Sequence, residues 1–381
     1  MQVKPEPFNF ILPTKVEFGP GAIDLLPEEL ARNRLDKAVF IVTQSRNRSG
    51  MLDRPIDALR NRGVDVEVYT GVRENPDLES VADCAGFLRS HRPDVLVGIG
   101  GGSSLDTAKA AGICYTNGLE NLRDFPVLPA KRQSLPVIMV PTTAGSGSEV
   151  NYWSVVTDNS AKEKLSVGDP AMSPLLAIVD PRLCMSVPER ATLYTGIDAL
   201  THAVESYFSA TSNWLSDMLA LGAVSLIVIS LEQAIADGRD LQARSNMSLA
   251  SMLAGMSMEN VGLGLIHALS HQVSGYYDTP HGLTNALLLP HVLAFNTSAC
   301  RKKVRSLEAL VRGRHGFGRW LKKLYNRFGV QKHMVTIQRK DISGMAERAI
   351  QNVNARTNPA GAEVKDLEDI LQRSFAVSVQ S

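Results

Sequence analysis

The chain has 381 residues, enough for two domains, and its apolar fraction of 44% is sufficient for a large hydrophobic core. A formal net charge of +1 provides no global field that would attract nucleic acid or an anionic membrane. The four cysteines are scattered and form no CxxC pair, which favours reduced thiols in a cytoplasmic protein. The first residues show no signal-peptide pattern, and the longest apolar run, residues 219–231, is shorter than the roughly 20 residues of a spanning helix.

The first half of the chain alternates short β-rich runs with amphipathic segments. Repeated strand–helix units of this kind predict a parallel sheet with helices on both faces, a Rossmann-like α/β domain. Ligands of such sheets bind at the carboxyl ends of the strands. Strands are predicted at residues 38–43, 64–69, 95–99, 137–140 and 176–179, and helices at 51–62, 78–90 and 105–115.

The second half changes character, and no convincing strand is predicted after Pro188. Helices are predicted at residues 189–210, 216–236, 241–259, 263–273 and 283–295. We therefore predict an α/β domain over residues 1–184 and an all-helical domain over residues 185–381, with the active site in the cleft between them.

A basic segment, residues 301–332, contains eleven Lys or Arg residues and a single acid, Glu308. A solvated helical face is the expected explanation, and a subunit contact or an anion-attracting rim is the alternative. Nucleic-acid binding is not expected, because the segment matches no known binding motif.

Two glycine-rich loops follow predicted strands. Residues 98–109 read GIGGGSSLDTAK, and the glycines allow a ligand to approach the backbone at the start of a helix, where free N–H groups attract phosphate. The usual GxGxxG dinucleotide fingerprint is absent, so a plain turn is the alternative. Residues 141–149, PTTAGSGSE, place hydroxyls and amides at the same expected edge of the sheet, although this loop could also bond only to itself.

Histidines are concentrated in residues 262–296, and two of them, His267 and His271, are one helical turn apart. His281 follows a short loop, and Asp198 and His202 form a second pair with the same spacing. One aspartate with two or three histidines suits Fe(II), Zn(II), Mn(II) or Co(II). Spacing alone leaves His267 and His271 equally plausible as ligands.

Taken together, these motifs resemble the iron-containing (group III) alcohol dehydrogenases over nearly the whole chain. The resemblance is densest in GGGSSLDTAKA, PTTAGSGSEV, GIDALTHAVESY and residues 262–296. It implies a dehydroquinate synthase-like architecture, in which an α/β domain binds NAD or NADP and a helical domain holds Fe(II), with Zn(II) possible in its place. The implied activity is hydride transfer between the cofactor and a small primary alcohol or diol and its aldehyde, in a homodimer or larger assembly.

The resemblance also implies roles for individual residues. It assigns four metal ligands, Asp198, His202, His267 and His281. It places His271 beside the nicotinamide and the substrate, where we hypothesise that it moves a proton. His291, ten residues beyond His281, is expected from its position to be a packed or surface histidine. The implied cofactor contacts are Asn75, Gly101, Gly102, Ser103, Asp106, Thr142, Thr143, Ser146 and Lys164.

The sequence departs from the family pattern in three places: at two single positions, and in the basic segment after Asn296, which is shorter and more cationic than the family's helices there. Gln44 stands where many members carry an aspartate that meets the ribose 2′-hydroxyl of NAD, and Arg46 follows, so NAD and NADP both remain open. Met258 stands where a phenylalanine often lines the substrate pocket, and Glu259 beside it is expected to face solvent. A polyol dehydrogenase, a dehydroquinate synthase-like lyase and a non-catalytic relative are the alternative functions.

Overall fold

The computed structural model describes residues 7–125, 130–311 and 316–378. Strands and helices alternate in the first part of the chain. The strands are β1 (Lys15–Phe18), β2 (Lys37–Ile41), β3 (Asp65–Tyr69), β4 (Val95–Gly100), β5 (Val137–Pro141), β6 (Ser154–Asp158), β7 (Glu163–Val167) and β8 (Leu176–Val179). The helices are α1 (Leu26–Arg32), α2 (Gln44–Arg48), α3 (Asp53–Arg60), α4 (Leu78–His91) and α5 (Gly102–Asn117).

A parallel six-stranded sheet forms the centre of this part, in the order β1-β8-β5-β4-β2-β3. Every residue of β4 and β5 is buried, as expected for central strands that are covered on both faces. Successive strand residues point to opposite faces, so Val97 joins one hydrophobic cluster and Leu96 the other. The predicted parallel α/β sheet is confirmed.

The sequence patterns missed two features of this part. Strand β1 is a four-residue edge strand that pairs with β8, and it is too short to show a clear period. Strands β6 and β7 form an antiparallel hairpin outside the main sheet, with Ser154 paired to Val167. The hairpin packs against the second part of the chain and so helps to position the cleft.

Helices dominate the second part. They are α6 (Glu189–Phe208), α7 (Trp214–Ala236), α8 (Leu241–Val261), α9 (Leu265–Tyr277), α10 (His281–Asn296), α11 (Arg301–Leu310), α12 (Phe317–Phe328), α13 (Ile342–Gln351) and α14 (Val364–Ser374). The prediction of a helical second half is confirmed. The expectation of no strand after Pro188 is wrong in one place, because β9 (Thr336–Gln338) and β10 (Ala376–Ser378) form a short parallel pair.

Helix α7 is longer than the apolar run of residues 219–231 from which no membrane-spanning helix was predicted. The helix has 23 residues, and its most apolar window has a mean hydropathy of 2.0, so length and composition alone would allow it to cross a membrane. Half of that window is buried inside the protein, and α7 packs against both α6 and α8. Such burial is typical of a core helix in a helical bundle, and length and composition alone are weak support for a membrane span.

The basic segment forms α11 and α12. Its described cations are mostly exposed, whereas Leu307, Trp320 and Leu324 turn inward. Lys303 is the exception, because its Nζ bonds the Tyr207 carbonyl and Asp217. The expected solvated helical face is confirmed for these residues, and Arg312 and Arg314 lie outside the described residues.

Candidate active site

One carboxylate and three imidazoles converge between three helices. Helix α6 supplies Asp198 and His202 one turn apart, α9 supplies His267, and α10 begins with His281. Their potential ligand atoms all lie within 4.8 Å of one another. The Asp198 Oδ1 atom is 3.8 Å from His202 Nε2 and 3.5 Å from His281 Nε2. The convergence expected from the sequence is present in the fold.

Burial keeps imidazoles of this cluster neutral. The pKa of His267 and that of His281 are both lowered well below the ordinary value, primarily because burial penalises the charged ring. Neighbouring imidazoles lower both values further, although Asp198 opposes the shift at His281. A neutral imidazole keeps one nitrogen lone pair free, which is the form that binds a metal.

Two of the histidines are oriented through their Nδ1 atoms. His202 Nδ1 lies 3.1 Å from the carbonyl oxygen of Gly145, and His267 Nδ1 lies 2.6 Å from Glu205 Oε2. Both Nε2 atoms are therefore left for the cluster. Sequence reasoning did not single out Glu205, although its position one turn after His202 on α6 was a usable signal. Burial raises the pKa of the Glu205 carboxyl to about 7, while backbone N–H donors oppose that shift.

Asn285 is a second residue that sequence reasoning missed. It is fully buried one turn after His281 on α10, and its Nδ2 atom is 2.7 Å from Asp198 Oδ1. The same atom lies 3.1 Å from His281 Nε2 and 3.4 Å from His267 Nε2. The amide therefore donates into the cluster from the side of α10.

His271 is separate from the four-residue cluster. It is buried, and its ring centroid lies 6.1 Å from that of His267 and 5.6 Å from that of His281. Its Nδ1 atom has no hydrogen-bond partner among the described residues. Burial, reinforced by the neighbouring His267, Lys164 and His202, lowers the pKa of His271 to about 3. His291 is only partly buried on α10 and does not belong to the cluster.

The two glycine-rich loops meet at the carboxyl edge of the sheet. The Thr142 amide donates to the Gly100 carbonyl at 2.8 Å, which joins the two loops. A Cβ on Gly102 would lie 3.1 Å from Ser146 Cβ, so a larger residue there would require Ser146 to shift by a few tenths of an ångström. Helix α5 starts at this junction, and its N-cap, Gly101, has no side chain that could bond the first N–H groups of the helix.

Asp106 fastens the second loop to α5. Its Oδ1 atom accepts from Ser148 Oγ at 2.6 Å, and its Oδ2 atom accepts from the Val155 amide at 3.0 Å. Lys109, one turn further along α5, is fully buried and donates to Ser148 and Asn151. Asp106 therefore shapes the cavity wall in addition to lining it.

A polar chain connects the hairpin to the helix that carries His267. Lys164 Nζ donates to Asn75 Oδ1 at 3.1 Å, and Asn75 Nδ2 donates to Asp278 Oδ1 at 2.8 Å. Asn75 has a positive φ of 53°, an uncommon conformation for a residue with a side chain. Burial lowers the pKa of Lys164 to about 8, and Asp278 and Asp106 partly offset the shift.

A cavity of about 920 Å³ joins the four-residue cluster to the two glycine-rich loops, and residues from both parts of the chain line it. Its lining includes the whole cluster and His271, together with the predicted cofactor residues Asn75, Gly102, Ser103, Asp106, Thr143, Ser146 and Lys164. Three other predicted residues lie elsewhere. Gly101 and Thr142 do not line the cavity, although their neighbours Gly102 and Thr143 do, and Gln44 is exposed at the start of α2.

The end of α8 forms another wall of the cavity. Met258 lines it, as the family pattern suggested for this position. The expectation that Glu259 faces solvent is wrong, because Glu259 also lines the cavity and burial raises its pKa to about 8. Its Oε2 atom is buried with no hydrogen-bond partner in the described part of the chain.

Comparisons with known proteins agree with this fold and site. The family model described as "Iron-containing alcohol dehydrogenase" matches residues 13–181, and the model described as "Fe-containing alcohol dehydrogenase family, C-terminal" matches residues 192–375. The chain is 35% identical to 1,3-propanediol dehydrogenase of Citrobacter freundii, over 97% of this chain and 99% of that protein. It is 33% identical to the NAD-dependent methanol dehydrogenase of Bacillus methanolicus, over 96% of this chain and 100% of that protein.

A solved structure extends the comparison to three dimensions. An alcohol dehydrogenase from Oenococcus oeni superposes with a TM-score of 0.90 at 32% identity, over 97% of this chain and 100% of that one. The fold and the clustered site thus define an oxidoreductase that acts on alcohols or aldehydes. The chain belongs to the iron-containing alcohol dehydrogenase family. The predicted fold class, family, enzyme class and cofactors, NAD(P) and iron, are confirmed at this level.

Proposed function

We propose that Asp198, His202, His267 and His281 bind Fe(II), with Zn(II) as an alternative occupant, and that NAD or NADP binds in the adjoining cavity. The reaction interconverts a small primary alcohol or diol and its aldehyde. One observation carries the proposal. The four potential ligand atoms lie within 4.8 Å of one another, in a cavity that both glycine-rich loops also reach.

The chemistry of the donor set fits such a metal. Three imidazoles and a carboxylate are a donor set that suits Fe(II) and Zn(II). Because Gly145 and Glu205 occupy the Nδ1 atoms of His202 and His267, the Nε2 atoms are available as ligands. A bound metal supplies Lewis-acid polarisation of the substrate oxygen.

The loop junction fits a dinucleotide. The start of α5 presents backbone N–H groups that suit a pyrophosphate, and Gly101, Gly102 and Ser103 are the proposed contacts. The remaining proposed contacts are Asn75, Asp106, Thr142, Thr143, Ser146 and Lys164. The bound nicotinamide supplies or accepts the hydride. Gln44 and Arg46 stand where the ribose 2′ position would be read, which keeps NADP open beside NAD.

His271 is proposed as the catalytic neighbour of the metal rather than a ligand. It is buried in the cavity wall outside the four-residue cluster, and its Nδ1 atom has no partner among the described residues. A neutral imidazole donates at one nitrogen and accepts at the other, so His271 can pass a proton towards solvent without holding it.

Replacement of His271 with alanine tests this role. We expect kcat to fall by roughly 10²-fold or more and its pH dependence to change, because a proton path is removed. Metal content should remain one equivalent. His291→Ala is the matched control, since His291 lies on the neighbouring helix outside the cluster, and it should leave both quantities unchanged. Loss of metal from His271→Ala would make His271 a ligand.

The metal assignment is tested by Asp198→Ala after anaerobic loading with Fe(II). We expect the variant to lose bound metal and turnover while NADH binding is retained, because the carboxylate is a proposed ligand and lies outside the loop junction. Wild-type protein should retain one equivalent after gel filtration. A full equivalent of metal in Asp198→Ala would refute the assignment.

Relatives support a small substrate. The similar proteins act on 1,3-propanediol and methanol by name, and we propose a primary alcohol or diol of comparable size for this chain. Met258 provides a flexible apolar wall, and Asn151 and Glu259 add polar ones. A panel of short aldehydes with NADH and with NADPH, on Fe(II)-loaded protein, would identify the preferred pair.

The alternative functions have less support. A lyase that acts on a phosphorylated sugar acid needs several cations near the metal. Among the described residues that line the cavity, the Lys and Arg side chains are Lys164 and Arg190, and Lys164 is already bonded to Asn75. A complete cluster of potential ligands also counts against a non-catalytic relative.

We also propose a homodimer or larger assembly in the cytoplasm. Strand β1 is an edge of the sheet, and Phe8, Ile11 and Phe18 expose large apolar side chains near it in the chain, which supports a subunit contact. The four cysteines are free and buried, as a reducing compartment would allow. A division into residues 1–184 and 185–381 is supported by the boundaries of the two family models. Light scattering after gel filtration measures the assembly.

A further inference from the structure

Glu205 is a buried carboxylate that contacts a proposed metal ligand without belonging to the four-residue cluster. It lies on α6, one turn after His202 and two turns after Asp198, so one helix face carries all three side chains. Only 4% of its surface is exposed. A carboxylate is almost never buried to this extent unless it is paired or hydrogen-bonded, so its partners should explain its position.

Those partners are all at the beginning of α9. Glu205 Oε1 accepts from the Ile266 amide at 2.6 Å, and Oε2 accepts from the His267 amide at 3.4 Å. Oε2 also lies 2.6 Å from His267 Nδ1. A Cβ on Gly264 would lie 2.7 Å from Glu205 Oε1, which explains why glycine precedes this helix.

The contact with Nδ1 fixes both the proton and the direction of the His267 ring. The ionised form of Glu205 only accepts, so it holds the proton of a neutral His267 on Nδ1 and leaves the lone pair on Nε2. The ring cannot turn easily, since it is 2% exposed and stacks on His202 with the centroids 4.6 Å apart. Nε2 is the atom that faces Asn285 and the cluster.

We infer that Glu205 is a positioning residue that presents His267 Nε2 to the metal by holding the Nδ1–H tautomer. The inference rests on the proposed function, in which His267 is a metal ligand. Carboxylates that bond the second nitrogen of a metal-binding histidine commonly change metal affinity by 10–100-fold when they are removed. Glu205 thus orients the proposed ligand His267 and also caps the helix that carries it.

Glu205→Gln is the informative substitution. Glutamine has a similar size but replaces one accepting oxygen with an NH₂ donor. Each Glu205 oxygen faces an N–H group, so either orientation of the new amide sets a donor against a donor. With Zn(II) as the probe and a chromophoric chelator as competitor, we expect Glu205→Gln to bind Zn(II) about 10–100-fold more weakly than wild type.

Asn358→Ala separates the capping role from the positioning role. Asn358 Oδ1 accepts from the Leu265 amide at the same helix terminus, and its other bonds go to Asn296 and Ala360, outside the cluster. This variant should lower the melting temperature while its Zn(II) affinity stays within about twofold of wild type, because the His267 tautomer is unchanged. Equal weakening of Zn(II) binding in both variants, or unchanged binding in Glu205→Gln, would overturn the inference.

A measurement on metal-free wild-type protein does not depend on how the variants fold. Long-range ¹H–¹⁵N correlation reports which nitrogen of each histidine is protonated, and His267→Ala assigns the signal. We expect the Nδ1–H tautomer, and an Nε2–H tautomer would overturn the inference. If His267→Ala binds Zn(II) as tightly as wild type, the proposed metal site fails instead, so the two failures can be distinguished.

Discussion

Replacement of Gly255 with alanine would test how tightly the two parts of the chain are docked at the cleft. Gly255 lies inside α8 and faces Gly147 of the second glycine-rich loop. A Cβ at Gly255 would be 2.7 Å from the Gly147 carbonyl oxygen and 2.9 Å from Gly147 Cα. Both are backbone atoms, and Gly147 itself has a φ of +62°, so the loop must move as a unit.

The size of the effect follows from two opposing terms. Alanine gains about 1 kcal/mol over glycine in a helix interior, and overpacking costs about 1–3 kcal/mol. Gly222→Ala is the matched control, because Gly222 is also helical and its Cβ would meet only Leu253 Cδ1, at 3.7 Å. The helix term cancels between the variants. Gly255→Ala should therefore melt roughly 2–12 °C below Gly222→Ala, at about 2–4 °C per kcal/mol.

The same substitution should weaken cofactor binding. The displaced loop carries Thr143 and Ser146, which line the cavity opposite the start of α5. Fluorescence titration should give a higher Kd for NADH in Gly255→Ala and an unchanged Kd in Gly222→Ala. If both variants melt at the same temperature and bind NADH equally, the close packing of loop and helix does not hold the cleft together.

Three further perturbations address the buried Glu259 carboxyl, the choice between NAD and NADP, and the metal. Burial raises the pKa of Glu259 to about 8, whereas its ordinary value is 4.5. Between these two pH values the folded protein keeps a proton that the unfolded chain has lost. The stability of the fold therefore declines as the pH rises from 4.5 to about 8. Glu259→Gln should flatten melting temperature against pH from 5 to 8, and parallel profiles would contradict this. Gln44→Asp should lower the ratio of kcat/KM for NADPH to that for NADH, since a carboxylate repels a 2′-phosphate, and Gln44→Asn should not. Chelation of the metal should abolish turnover and lower the melting temperature. Addition of Fe(II) or Zn(II) should restore both quantities. Full turnover in metal-free protein would exclude a catalytic metal.

The site residues whose proximity could be predicted from the sequence were mainly those that lie one turn apart on the same helix. Asp198 and His202 are one turn apart on α6, so a helix prediction alone placed them side by side. The central strands were equally predictable, because fully buried parallel strands read as continuous apolar runs such as that of β5. Spacing left His267 and His271 equally plausible as metal ligands, and the family resemblance assigned that role to His267.

Features that depend on packing between distant segments were not predictable in this way. The contact between Glu205 and His267 joins residues that are 62 positions apart, and no periodicity reports it. Glu259 was expected in solvent because its charge suggested exposure, but the approach of α8 to the first part of the chain buries it. Strand β1 was missed because four residues with mixed exposure give no clear alternation.

The contacts of Gly145 connect the proposed metal site to the proposed cofactor cleft. Its carbonyl oxygen orients His202, and its loop also carries Thr143 and Ser146 in the cavity wall. A Cβ at Gly145 would lie 2.8 Å from Thr195 Cβ and 2.9 Å from the Thr195 carbonyl oxygen, so the loop rests directly on α6. Thr195 is less than one helical turn from Asp198. A proposed ligand of the metal thus takes its orientation from the loop proposed to hold the cofactor, and any energetic coupling between the two sites must be equal in both directions.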